Sequence, residues 1–299
     1  MLKNNLKKLR SSQPFNRLAT SGLRSLLSLT RRQSEFVIKY LHRIDLVETK
    51  LPNGRILKLN SKGDDWVSNQ VFWRGWEGYE PETVPLFFRL AEQAEVVFDI
   101  GAYVGFFTLL AAHANPNSKV FAFEPMTAIY QRLAQHLELN SLTNATAIHG
   151  AVGAEEGEAE FFHVEGAELP TSSSLSFEFM KAGNPVSTKV KVFQLDEFVK
   201  ENKIEKVDLM KVDTETTEPD VLQGAAEILK IHQPDIICEV LHGRAEGQKL
   251  KEILEPLGYK FYLLTSDGPI EHRDIDAHPE FLNYLFTHRT AQDLTKFYN

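Results

Sequence analysis

The stretch Val96-Val97-Phe98-Asp99-Ile100-Gly101-Ala102-Tyr103-Val104-Gly105-Phe106-Phe107-Thr108 constrains the fold of this chain more than any other. It opens with a short apolar, β-branched run, the pattern of a strand buried on both faces. An acid sits near the end of that run, and two glycines four residues apart lead into an apolar helix. Strand, tight glycine turn and helix is how α/β proteins bring backbone N–H groups close to a ligand.

The same alternation continues downstream. Strands are expected at 96–100, 119–124, 145–152, 207–213, 235–240, 259–264 and 281–288, with helices near 105–114, 127–140, 217–231 and 246–257. Thr217 is a cap for the third helix, with Asp220 three residues on, and Gly258 suits the end of the fourth. This rhythm implies a mainly parallel sheet with helices on both faces. Residues 153–206 interrupt it with short strand-like runs (159–164 and 190–195) and read as an insertion at the ligand end of the sheet. Its serines at 172–174 form either a flexible loop or a lid over substrate.

Three segments follow from this reading: a basic helical extension over 1–44, a β-hairpin and aromatic-rich helical cap over 45–92, and the main domain over 93–290. The hairpin turns at Asn53-Gly54. Trp66, Phe72, Trp73, Trp76 and Tyr79 then cluster, either lining a pocket or forming a satellite core, and Glu80-Pro81-Glu82-Thr83 starts a helix. Residues 1–43 carry a charge of +9, whereas the whole chain carries −8, leaving −17 on residues 44–299. So acidic a body excludes nucleic acid as the expected partner. The basic segment is read as a solvated extension packing on the body or a second copy, a membrane-surface helix, a transit peptide or a polyanion-binding arm. One cysteine, Cys238, excludes an internal disulfide framework and fits a reducing, cytoplasmic setting, with the basic segment allowing contact with a membrane surface. Cys238 itself reads as a buried strand residue.

Ligands of open α/β sheets sit at the carboxyl ends of the strands. Acids fall there repeatedly: Asp99, Glu124, Asp213 and Glu239. Gly101 and Gly105 form G-x-x-x-G, without the tight double-glycine turn that admits a pyrophosphate. Glu124 follows Asp99 by 25 residues, where a carboxylate can accept both hydroxyls of a ribose. Adenosine with a cationic, phosphate-free tail describes S-adenosylmethionine (SAM).

Asp99-Ile-Gly101-Ala-Tyr-Val-Gly105-Phe-Phe-Thr108, Phe123-Glu124-Pro125, Ser173-Ser174-Leu175, Leu195-Asp196 and Lys211-Val-Asp213-Thr-Glu215-x-x-Glu218 together resemble the FkbM-type methyltransferases, and Tyr79-Glu80-Pro81 also fits that pattern. The resemblance covers about residues 70–290. It implies a class I SAM-dependent methyltransferase fold (Rossmann-like), seven strands with the last antiparallel, and methylation of a hydroxyl on a sugar, glycan or other small molecule. It also implies cofactor contacts at Glu80, Asp99, Gly101, Tyr103, Gly105, Thr108, Glu124, Pro125, Gly150, Ala151 and Asp213. Of these, Asp99, Gly101 and Gly105 would surround the methionine part and Glu124 the ribose. Gly150-Ala151 would border the adenine, and Asp213 would face the sulfonium. Two positions depart from the pattern: Thr216 replaces the family's glycine, and Tyr103 stands where asparagine is common.

Removing a proton from an acceptor hydroxyl needs a carboxylate, a histidine or a bound metal. Asp213, Glu215 and Glu218 lie within six residues, with Glu239 and His242 at the neighbouring strand tip, so base and substrate binding are expected in this group. The structural alternative makes Glu215 and Glu218 complements of a helix dipole and His242 an ordinary loop residue. Three carboxylates could hold Mg²⁺, but no spacing sets ligand geometry and no metal ligands are assigned. Two other functions stay open on sequence alone, a nucleotide-cofactor oxidoreductase and a non-catalytic protein of the same fold.

Overall fold

The computed structural model describes residues 12–30, 35–164, 173–175, 185–241 and 246–297, in two compact units, Met1–Glu80 and Pro81–Asn299. In chain order the first unit contains α1 (Gln13–Thr30), α2 (Glu35–Tyr40), β1 (Ile44–Lys50), β2 (Ile56–Lys62) and α3 (Trp66–Arg74). The strands β1 and β2 pair antiparallel, Lys50 opposite Ile56, so the turn is wider than its two central residues Asn53 and Gly54. Leu57, Leu59, Val71, Phe72 and Trp73 are buried together with Val47 and Ile38. Phe72 and Trp73 thus form the satellite core, while Trp66 remains 40% exposed. The helix α1 is docked by polar groups. Buried Asn16 bridges His42 O and Ile44 N, and the Arg43 guanidinium donates to Thr20 Oγ1 and Ser21 Oγ, leaving Phe15 and Leu18 facing solvent.

The second unit runs α4 (Val84–Ala91), β3 (Val96–Ile100), α5 (Phe106–Ala114), β4 (Lys119–Glu124), α6 (Thr127–Leu139), β5 (Ala145–His149), β6 (Ala151–Val152), β7 (Gly157–Val164), β8 (Ser173–Ser174), β9 (Pro185–Phe193), α7 (Leu195–Glu201), β10 (Leu209–Val212), α8 (Glu218–Gln223), β11 (Asp235–Glu239), α9 (Glu246–Leu254), β12 (Lys260–Thr265), β13 (Gly268–His272), β14 (Asn283–Thr287) and α10 (Ala291–Leu294). Its main sheet has the order β13-β12-β14-β11-β10-β3-β4-β5. In that order β5, β4, β3, β10 and β11 pair in parallel, and β14 enters antiparallel between β11 and β12. This is the expected topology with one correction: β13, folded back on β12, makes an eighth strand. One face of the sheet carries Phe98, Phe123, Met210, Val212, Ile236 and Cys238 into a core with Phe198, Val221, Leu222 and Leu250.

Three other expectations change. The strand expected over 145–152 breaks at Gly150, whose N–H turns to Glu124 O at 3.1 Å, so that Ala151–Val152 joins β9 instead. The insertion builds its own sheet, β6-β9-β7-β8. The helix expected over 217–231 stops after Gln223 and resumes as a π-helical turn, Ile228–His232. The Asp196 carboxylate accepts from the N–H groups of Glu227 and Ile228 and so caps that second piece. Thr217 makes no side-chain cap; its hydroxyl donates to Thr214 O.

Candidate active site

In the registers of the parallel strands, Phe123, Ile100, Val212 and Cys238 lie side by side, and Glu239 pairs with Asn283. One residue further on, Glu124, Gly101, Asp213 and Glu239 therefore share a row along the carboxyl ends of four adjacent strands, about 14 Å across at the usual strand spacing. The row is held by backbone contacts. Gly101 N and Ala102 N both donate to Phe123 O, and Asp213 N donates to Ile100 O. A Cβ on Gly101, where φ is +79°, would lie 1.8 Å from Asp213 O. Only glycine fits there.

Both departures from the family pattern fall on left-handed backbone. Tyr103 has φ 49° and Thr216 has φ 90°, conformations that asparagine and glycine adopt more readily. Tyr103 contributes its N–H, which donates to Glu124 Oε2 at 3.0 Å. Around Thr216 the loop is secured from two sides. The Glu218 carboxylate accepts from Thr214 N, Thr214 Oγ1 and Thr216 N, and Ser174 Oγ donates to Glu215 O at 2.6 Å. A Thr216→Gly variant is expected to gain about 1 kcal/mol by relieving the β-branched residue of this backbone, read as a higher urea midpoint; a loss would show that the threonine side chain stabilises the loop.

The acids divide by environment. Asp99 is 2% exposed and accepts from Thr108 Oγ1 at 2.5 Å; burial raises its carboxyl to about 6 despite nearby Lys211. Burial likewise raises Glu124 to about 8, although both its oxygens accept backbone N–H groups, from Tyr103 and Met126. Glu218, also buried, is lifted to about 7. Asp213 and Glu239 are partly open. Three raised carboxyls make a signed prediction. Each favours the folded state while protonated, so their contribution is complete below about pH 4 and is lost as pH rises through 6 to 8. The ligand-free protein is thus expected to lose a few kcal/mol between pH 5.5 and 8.5, each pKa unit being about 1.4 kcal/mol. Urea unfolding at both values checks it, and equal midpoints would contradict the burial of these charges.

Of the other expected site residues, Pro125 presents its carbonyl to His149 Nε2, and Gly150 and Ala151 adjoin Glu124. Gly105 caps α5 at φ 87°. Glu215 keeps its backbone in the loop at φ 56° rather than in a helix. Glu80 ends the first unit, at φ 44°. His242 lies outside the described residues. Among the described residues no group of three or more His, Cys, Asp or Glu stands ready to hold a metal ion, and no helix is long and apolar enough to cross a membrane. Cys238 is fully buried and its thiol is pushed up by burial. Missing from the expected set is Lys211, 1% exposed, whose Nζ lies 2.9 Å from Asp213 Oδ2. Its signal was a lone lysine inside the apolar run Leu209-Met210-Lys211-Val212.

A mainly parallel sheet with β14 inserted antiparallel between β11 and β12, a wide glycine turn after the central strand and an acidic row beyond it define a class I, Rossmann-like methyltransferase fold. Residues 99–284 match the methyltransferase FkbM domain, and the chain belongs to that family. It is 26% identical over 179 residues to Methyltransferase 1 of Beauveria bassiana, covering 54% of this chain and 71% of the relative. It is 24% identical over 175 residues to the hexuronic acid methyltransferase AglP of Haloferax volcanii, covering 58% and 67% respectively. The crystal structure of the FkbM methyltransferase from Methylobacillus flagellatus KT superposes with a TM-score of 0.45 at 16% identity, covering 77% of this chain and 56% of that one. Family membership selects methyl transfer over the oxidoreductase alternative.

Proposed function

We propose that this protein transfers a methyl group from SAM to a hydroxyl of a sugar, glycan or other small natural product. One observation carries the reading: the Gly101 turn, bare of any Cβ, lies between buried Glu124 and partly open Asp213 at the adjacent strand tips. Such a cradle fits a ligand with a ribose and a cationic tail. Glu124 would hold the ribose, Asp99 and the turn the amino-acid part, the chain at Gly150-Ala151 the base, and Asp213 the cationic end. When bound, SAM supplies an electrophilic methyl group. The protein's own part is alignment and proton removal. Glu218, lifted to about 7 and beside Asp213, is suited to hold a proton near neutral pH. Glu215 and Glu239 are left for the acceptor, with His242 three residues beyond Glu239 in the chain. A relative named for hexuronic acid supports a sugar among the acceptors to try first. Labelled SAM incubated with sugar acids, glycans and small alcohols tests this; absence of SAM binding in calorimetry would sink it, and binding without turnover on any acceptor would favour a non-catalytic role.

For the basic segment, the outward Phe15 and Leu18 of α1 beside exposed Arg17 support contact with an anionic membrane surface. Wild-type protein is expected to sediment with vesicles containing phosphatidylserine and Leu18→Ser to do so several-fold less; sedimentation that ignores the substitution would remove this role, and a change in oligomer size instead would assign the face to a second copy.

A further inference from the structure

We propose that Lys211 is a positioning residue of the methyl-transfer site, its ammonium holding Asp213 in the orientation that a cationic ligand requires. This rests on the reading above. A lysine in the middle of a buried strand is costly unless its charge is used. Lys211 is 1% exposed, so it does not meet a ligand itself. Its Nζ reaches Asp213 Oδ2 at 2.9 Å and lies 5.0 Å from the centre of the Phe107 ring. Asp99 is its register partner on β3 and Asp213 follows two residues later on its own strand, so all three side chains rise from the same face of the sheet.

The other groups facing this spot add no second cation among the described contacts. From α5 come the Phe107 ring and the Thr108 hydroxyl, the latter already on Asp99. The register partner on β11 is apolar Ile237. Asp99 raises Glu124 electrostatically and Asp213 raises Glu218, while Cys238 feels Lys211, Asp213, Glu218 and Glu239 together. Without the ammonium, Asp99 and Asp213 would be like charges sharing a half-dry site, and the buried Asp99, already raised to about 6, would keep its proton to higher pH. A protonated Asp99 offers a cation no charge, and an Asp213 that has lost its ammonium partner is no longer held in place. Lys211 also occupies Oδ2, which fixes the side chain and leaves Oδ1 for the ligand.

The test is SAM binding by calorimetry on the full chain from pH 6 to 9, with wild type, Lys211→Met, Asp213→Asn and the double variant. Lys211→Met should weaken binding at least tenfold relative to wild type at pH 6.5, the ratio shrinking as pH rises and Asp99 ionises. In the Asp213→Asn background, where one acid is already neutral and folding is less burdened, adding Lys211→Met should cost less than threefold, because the lysine acts through the aspartate. No loss, a loss equal at every pH, or a further tenfold loss in the double variant would overturn the proposal. Wild type that fails to bind SAM would instead overturn the functional reading.

Discussion

Replacing Glu124 with alanine is expected to raise the dissociation constant for SAM about a hundredfold. A carboxylate accepting two hydroxyls makes charge-assisted bonds worth about 1.5–3 kcal/mol, and about 2.7 kcal/mol corresponds to that factor. The same carboxylate also holds Tyr103 N and Met126 N, so alanine loosens the glycine turn as well as removing the anchor. Glu124→Gln separates the two effects. It keeps the shape and one acceptor, and should cost about tenfold while leaving the urea midpoint near wild type. Burial places the Glu124 carboxyl at about 8, so wild-type affinity for a cation should improve as pH rises through that value, and the glutamine variant should lose this dependence. Unchanged affinity in Glu124→Ala would show that the ribose anchor is misassigned.

The second large effect belongs to Gly101→Ala. A methyl group there would sit 1.8 Å from Asp213 O, on a backbone at φ +79°. Neither neighbour can yield cheaply, since the obstacle is main chain in the adjacent strand end. Left-handed alanine and the clash together should cost about 3 kcal/mol. Chemical denaturation should therefore show a lower midpoint, and SAM binding should fall in the same variant because β3 and β10 must part at the row that carries Asp213. Normal stability with lost binding would mean that the strand ends yield easily, so that the glycine serves the ligand alone.

The order of the sheet was legible because strands buried on both faces are nearly continuous apolar runs, each followed by a helix of ordinary period. The strand Gly268–His272 was not, since its Gly-Pro-Ile-Glu-His is half-open to solvent and shows no alternation. The early stop of α8 was hidden for another reason. It depends on a carboxylate, Asp196, that approaches Glu227 and Ile228 only in three dimensions. The site divides in the same way. Asp99, Glu124 and Asp213 could be read from their places after apolar runs, but Lys211 acquires meaning only from the register that sets it beside Asp99. Thr216 and Tyr103 looked like irregularities in sequence, and the structure explains them as side chains tolerated where the backbone is already left-handed and held by hydrogen bonds.

The tether from Ser174 to Glu215 has a consequence for the order in which the molecule assembles. Its two ends are 41 residues apart, and between them lie β9, α7 and β10. Closing so long a loop is slow compared with forming local structure. The loop at 214–216 gains its second restraint, beyond the local hold of Glu218, only after the arm carrying β8 has arrived, so this side of the candidate site matures behind the sheet that carries it. In refolding followed by hydrogen exchange, the amide of Thr216 should gain protection after those of β3 and β10.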